Sequence, residues 1–161
     1  MKVNIKPVTD IEELMEWRRE VIEAVFDTVP SEGLLAENRR YYDKHIPDGS
    51  HRAFIACTGG GEAGGDVEAG CGAICLTDEL PSPDNPSGRC AYLMNIYVRP
   101  EHRSHGIGHA IVRHLVMTAK KSGCDKIYLE TTTQARSLYK GTGFAELPGI
   151  LKYADTPNQQ S

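Results

Sequence analysis

No apolar run in this chain of 161 residues approaches the roughly 20 residues that a helix needs to cross a bilayer. The opening MKVNIKPVTD lacks the apolar core and the small-residue cleavage site of a signal peptide. A cytoplasmic protein is the expectation. Blocks of like charge are missing too. With 18 Lys and Arg against 22 Asp and Glu, the net charge is -4, so the basic excess usual in nucleic-acid binders is absent. Neither a nucleic-acid nor a membrane partner is expected, and the acidic balance suits a cationic substrate. No CxxC pair occurs among the five cysteines, Cys57, Cys71, Cys75, Cys90 and Cys124. Cys71 and Cys75 share one face of an expected strand but stand too far apart for a disulfide. Reduced thiols packed as small apolar residues are the reading. The dinucleotide fingerprint, the P-loop pattern and any internal repeat are all absent.

What is present fits one domain over 1–161, long enough for a sizeable core. Residues 2–8 alternate as a strand. Thr9 and Asp10 can cap a helix carrying Leu14, Trp17, Val21, Ile22 and Val25 at helical spacing. Pro30 ends it, and Ser31 caps a second helix to about Lys44. Strands follow at 53–57 and 71–77, joined by a glycine-rich loop (58–70). A proline-rich loop (78–89) leads to AYLMNIYV (91–98), an apolar strand of the kind buried on both faces. A helix over 106–121, a strand at 126–131, a short helix at 134–142 and a last strand within 144–153 complete the order, and PNQQS forms a polar, frayed tail. Hairpin-linked strands precede a strand-helix-strand unit. The fold class is α/β: a mixed sheet with helices on its faces.

The stretch VRPEHRSHGIGHA (98–110) lies between that apolar strand and the helix after it. A helix N-terminus offers unpaired N–H groups and a partial positive charge, which suits a phosphate. Glycine there lets the backbone come close to a ligand, since no Cβ intervenes. Strand, Arg-x-x-Gly-x-Gly, then helix is therefore a physically sound cradle for a pyrophosphate. A solvated turn with two convenient glycines is the plainer alternative.

At these residues the chain resembles the GNAT N-acetyltransferase superfamily. NIYVRPEHRSHGIGHAIVRHL (95–115) is similar to its acetyl-CoA motif, and ARSLYKGTGF (135–144) to its A-x-x-L-Y-x-x-x-G-F segment. The resemblance implies a mostly antiparallel sheet with a splayed parallel strand pair, 91–98 and 126–131. It implies acetyl-CoA as cosubstrate, a small-molecule or peptide amine as acceptor, and a possible homodimer. Ile96, Tyr97 and Val98 would line the pantetheine arm and acetyl carbonyl. Arg103, Ser104, His105, Gly106, Ile107, Gly108 and His109 would wrap the pyrophosphate. Tyr139 matches the tyrosine that protonates the departing thiolate, and Thr132 stands where the family often has a cofactor-binding asparagine.

Three departures accompany the match. The asparagine is Thr132; Gly141 and Thr142 should end the short helix early; and AYLMNIYV carries no carboxylate to act as base. Glu130, or water relayed through Asn95 or Tyr97, could take the amine's proton. Glu20 and Glu23 could attract a cationic acceptor, or be merely solvated. His102, His105, His109 and His114 lack the Cys or carboxylate partners of a metal set. A non-catalytic acyl-CoA-binding sensor or regulatory module is the alternative function, needing the phosphate loop but no acid or base.

Overall fold

The computed structural model describes residues 2–59 and 64–155. The middle of the glycine-rich loop (60–63) and the PNQQS tail (157–161) therefore lie outside the described residues. β1 (Val3–Val8) is followed by α1 (Ile11–Phe26) and α2 (Glu32–His45). Then come β2 (His51–Thr58), β3 (Val67–Asp78) and β4 (Arg89–Val98). A 3-10 turn at Pro100–His102 leads into α3 (Ile107–Lys121), β5 (Lys126–Leu129) and α4 (Arg136–Gly141). The sheet runs in the order β1-β2-β3-β4-β5; its pairs are antiparallel except β4–β5, which is parallel.

Local chemistry sets the helix starts. The Asp10 carboxylate accepts from the Glu13 N–H at 3.2 Å, and the Ser31 hydroxyl accepts from the Leu34 N–H at 3.1 Å. Side-chain alternation along β2 then divides the core. Ala53, Ile55 and Cys57 meet Leu14, Trp17, Val21 and Tyr42 of α1 and α2. Phe54 and Ala56 face the other way, toward Ile107, Ile111, Val112 and Leu115 of α3 and Tyr139 of α4. Helices therefore cover both faces of the sheet. Among the described residues no helix is long and apolar enough to cross a membrane. All five thiols are free.

Two sequence expectations need correction. Residues 144–154 hold no strand. Pro148 can donate no ladder hydrogen bond, and Gly149 turns the chain at φ 90°. Ile150, Leu151 and Tyr153 consequently stay exposed rather than sharing a buried face. The strand expected over 126–131 ends at Leu129, and the reason lies in β4. Its register against β3 slips between Cys71 and Ala73, and Asn95 adopts a left-handed backbone at φ 56°. This bulge bends the second half of β4 away from β5.

Candidate active site

Parallel pairing stops at Leu93 and Leu129, so β4 residues 94–98 have no partner on β5. Backbone groups that a neighbouring strand would use are left facing the gap. A cavity of about 570 Å³ opens there. Asn95 and Ile96 line it from β4, Glu130 and Thr132 from beyond β5, Tyr139 from α4, and Arg18 from α1. A second groove of about 570 Å³ lies between α1 and α2, among charged side chains that include the Glu12–Arg39 ion pair. It touches neither sequence motif, so the strand gap is the better candidate.

At one side of the gap, residues 99–106 form a tight loop. Arg99 anchors its base. The guanidinium holds both oxygens of Glu20 at 3.0 Å, donates to the Glu68 carbonyl at 2.9 Å and sits 4.2 Å over the Trp17 ring. Ser104 and Gly106 both take positive φ, 65° and 80°. Gly106 is the N-cap of α3 and supplies no side-chain cap, so the first N–H groups of the helix have no intrahelical acceptor. Gly108 serves a different end. A Cβ there would lie 3.2 Å from Leu138 Cδ2, so this glycine lets α4 pack against the start of α3. Backbone conformation at Gly106 and helix packing at Gly108 are thus reasons for the two glycines that involve no ligand.

Tyr139 is 8% exposed, lines the cavity and packs edge-on against Phe144 with ring centroids 6.1 Å apart. Burial pushes its phenol above the ordinary tyrosine value, so it stays protonated at neutral pH. Glu130 is exposed at the cavity wall beside Tyr92, whose phenol is raised by burial first and then by the Glu130 charge. Deeper in the wall, Tyr41 Oη and His51 Nδ1 are 2.9 Å apart. Burial, reinforced by His45 and Arg18, holds His51 down at about 4, so its ring is neutral near pH 7. Its Nε2 is buried without a partner among the described residues.

The structure gathers Ile96, Glu130, Thr132 and Tyr139 around one cavity; Tyr97, Val98 and Arg103 to His109 are not in its lining, Arg103 to His109 lying in the loop and helix start that follow β4. Some placements differ from expectation. The Tyr97 side chain packs in the core against α1 and is not in the cavity lining. Asn95 lines the cavity, but its Oδ1 is taken by Arg18. The Val98 carbonyl accepts from Arg103 Nε at 2.9 Å, and Arg103 also lies 5.8 Å over the Tyr97 ring. The Thr132 hydroxyl accepts from the Ala135 N–H at 3.2 Å, supporting the start of α4. Glu20 is bound by Arg99 and Glu23 pairs with Arg19 at 3.8 Å; neither lines the cavity, so neither waits there for a cation. Among the described residues no group of three or more His, Cys, Asp or Glu could hold a metal. Sequence reasoning missed Arg18, Tyr41, His51 and Tyr92. Their roles come from contacts across the sheet that no local pattern announces.

The model of the acetyltransferase (GNAT) family matches residues 11–144, and the chain belongs to that family. Thialysine N-epsilon-acetyltransferase of Sus scrofa is 33% identical over 95 residues, which cover 45% of this chain and 56% of that protein. N-acetyltransferase 8F1 of Rattus norvegicus is 37% identical over 82 residues, covering 48% of this chain and 37% of that protein. The matched segment thus spans little more than half of one relative and less of the other. A crystal structure of a predicted acetyltransferase from Clostridium acetobutylicum, with acetyl-CoA, superposes with a TM-score of 0.79 at 26% identity, covering 95% of this chain and 96% of that one. A GCN5-related N-acetyltransferase from Ralstonia eutropha shares the fold, with a TM-score of 0.75 at 21% identity over 95% and 99% of the two chains.

Proposed function

We propose that this protein is an N-acetyltransferase that moves an acetyl group from acetyl-CoA to a primary amine by direct attack in a ternary complex. The observation that carries the reading is the gap between β4 and β5, with a loop of free helix N–H groups at one side and a protonated phenol within it. Membership of the acetyltransferase family and the acetyl-CoA in the Clostridium structure support it. So do relatives named for amine acetylation.

Residues 103–109 receive the pyrophosphate on main-chain N–H groups at the start of α3. Ile96 and Val98 present backbone groups along the splayed edge of β4, and a main-chain N–H near Val98 meets the charge that grows on the acetyl oxygen. Acetyl-CoA supplies an activated thioester: the amine nitrogen bonds to the acetyl carbon, and the C–S bond breaks to release CoA. The Tyr139 hydroxyl gives its proton to the departing sulfur. Glu130, directly or through water, takes the proton that the amine must lose. Thr132 keeps α4, and with it Tyr139, in place.

The test pairs two measurements. Calorimetry reads acetyl-CoA binding, and a thiol-release assay reads transfer across a panel of amines. The proposal expects micromolar or tighter binding together with thiol release that depends on a particular amine. Tight binding with no amine acetylated would replace the transferase by an acyl-CoA sensor. No binding at all would remove both.

A further inference from the structure

Arg18 is the feature of the cavity that the transfer step does not use. It reaches the wall from α1 and is half-buried. Its Nε donates to Asn38 Oδ1 at 2.9 Å and its Nη1 to Asn95 Oδ1 at 2.8 Å. Both partners are neutral amides. Among the described residues Arg18 forms no ion pair, and the other arginines without one, Arg52, Arg89, Arg103 and Arg113, are exposed whereas Arg18 is half-buried. Asn38 is itself held in position, since its Nδ2 donates to the Leu34 carbonyl at 2.9 Å and turns its oxygen toward the guanidinium. The fork is therefore fixed by two hydrogen bonds, and among the described residues it meets no carboxylate and its Nη2 has no hydrogen-bond partner. Burial raises the Tyr42 phenol and the Cys71 thiol to about 12, and the nearby Arg18 charge opposes that rise at both.

A half-buried cation without a counter-ion is costly unless something else supplies one. The rest of the lining does not. Val21, Val25, Phe26, Met94, Tyr41 and Tyr42 make it apolar or aromatic, His51 is neutral, and the carboxylate of the cavity, Glu130, comes from beyond β5. Asn95, which Arg18 grips, directly precedes Ile96 on the splayed edge of β4. An anion on the fork would thus lie beside the splayed edge of β4.

We infer that the acceptor amine carries an acid group of its own, a carboxylate or a phosphate, which Arg18 binds while the amine faces the splayed edge of β4. The inference rests on the transferase reading. It also revises the cationic acceptor suggested by net charge: the acceptor is zwitterionic, with its anion on α1. Arg18 is a binding and specificity residue, and Asn38 and Asn95 position it.

Matched acceptor pairs test this. The carboxylate arm compares amino acids with their carboxamides, and the phosphate arm compares phosphoethanolamine with ethanolamine. In one arm the acid-bearing amine should show kcat/KM higher than its neutral partner by at least about tenfold, as a charge-assisted pair implies. Arg18→Gln should remove that preference, mainly through KM, while acetyl-CoA affinity and the thermal midpoint change little. Arg18→Lys, which keeps a charge but loses the fork, should retain part of it and serves if Arg18→Gln does not fold. Equal or better turnover of the neutral member in both arms would overturn the inference and leave the transferase standing. So would an Arg18→Gln variant that slows both members alike, which would make Arg18 only a brace. Bound acetyl-CoA with no amine acetylated would sink the transferase reading, and this inference with it.

Discussion

A phenol that protonates a thiolate must hold its proton at neutral pH and still reach the sulfur. Burial holds the proton on Tyr139, and its place on the cavity wall is where the proposed transfer needs a phenol. Tyr139→Phe keeps the ring and its contact with Phe144 but removes the proton. It should bind acetyl-CoA nearly as wild type does and turn over about 10²–10⁴ times more slowly, with chemistry shown to be limiting by single-turnover measurement. Unchanged turnover would take Tyr139 out of the mechanism. Tyr139, now found on the cavity wall, was singled out in the sequence by the resemblance of ARSLYKGTGF to the family's second motif. Arg18 was not. Its partner Asn95 is 77 residues away, and a helical arginine reads as solvated until the sheet brings a cavity to it.

At the scale of elements, the start of α3 depends on two glycines for separate reasons. Gly106 holds φ at 80°, which costs an L side chain roughly 1 kcal/mol or more. Gly108 leaves room for Leu138, so Gly108→Val should push α4, and Tyr139 with it, away from the gap. The expected outcome is a larger loss of kcat for Gly108→Val than for Gly106→Ala, with both variants folded by circular dichroism. Equal kcat in the two would show that α3–α4 packing does not position the phenol. The order of strands and helices down to α4 was legible because apolar spacing and caps such as Asp10 and Ser31 are local signals. The bulge at Asn95 and the early end of β5 were not. Both follow from how β3 and β4 pair, and AYLMNIYV gives no sign of it. The strand expected within 144–153 failed because alternating apolar residues are not enough without a buried face to receive them.

For the molecule as a whole, stability should depend on pH through His51, which is 3% exposed. Unfolded, the imidazole takes a proton near its ordinary 6.5; folded, burial first, then His45 and Arg18, hold it down to about 4. The unfolded state therefore binds the extra proton as pH falls between these values. This contribution leaves the fold undisturbed above about pH 6.5 and is lost progressively below it, by up to roughly 3 kcal/mol. In urea unfolding, His51→Gln should lose less stability than wild type between about pH 7 and pH 4.5. Parallel curves would mean that His51 takes up its proton without unfolding. The proposed site, from splayed strands to the 103–109 segment to the phenol, is tested most directly by a crystal structure with CoA bound. The account predicts the pyrophosphate on the N–H groups at the start of α3, the pantetheine arm along β4 residues 94–98, and the sulfur within hydrogen-bond reach of the Tyr139 hydroxyl. CoA bound in the groove between α1 and α2, or in the gap with its sulfur out of reach of Tyr139, would contradict it.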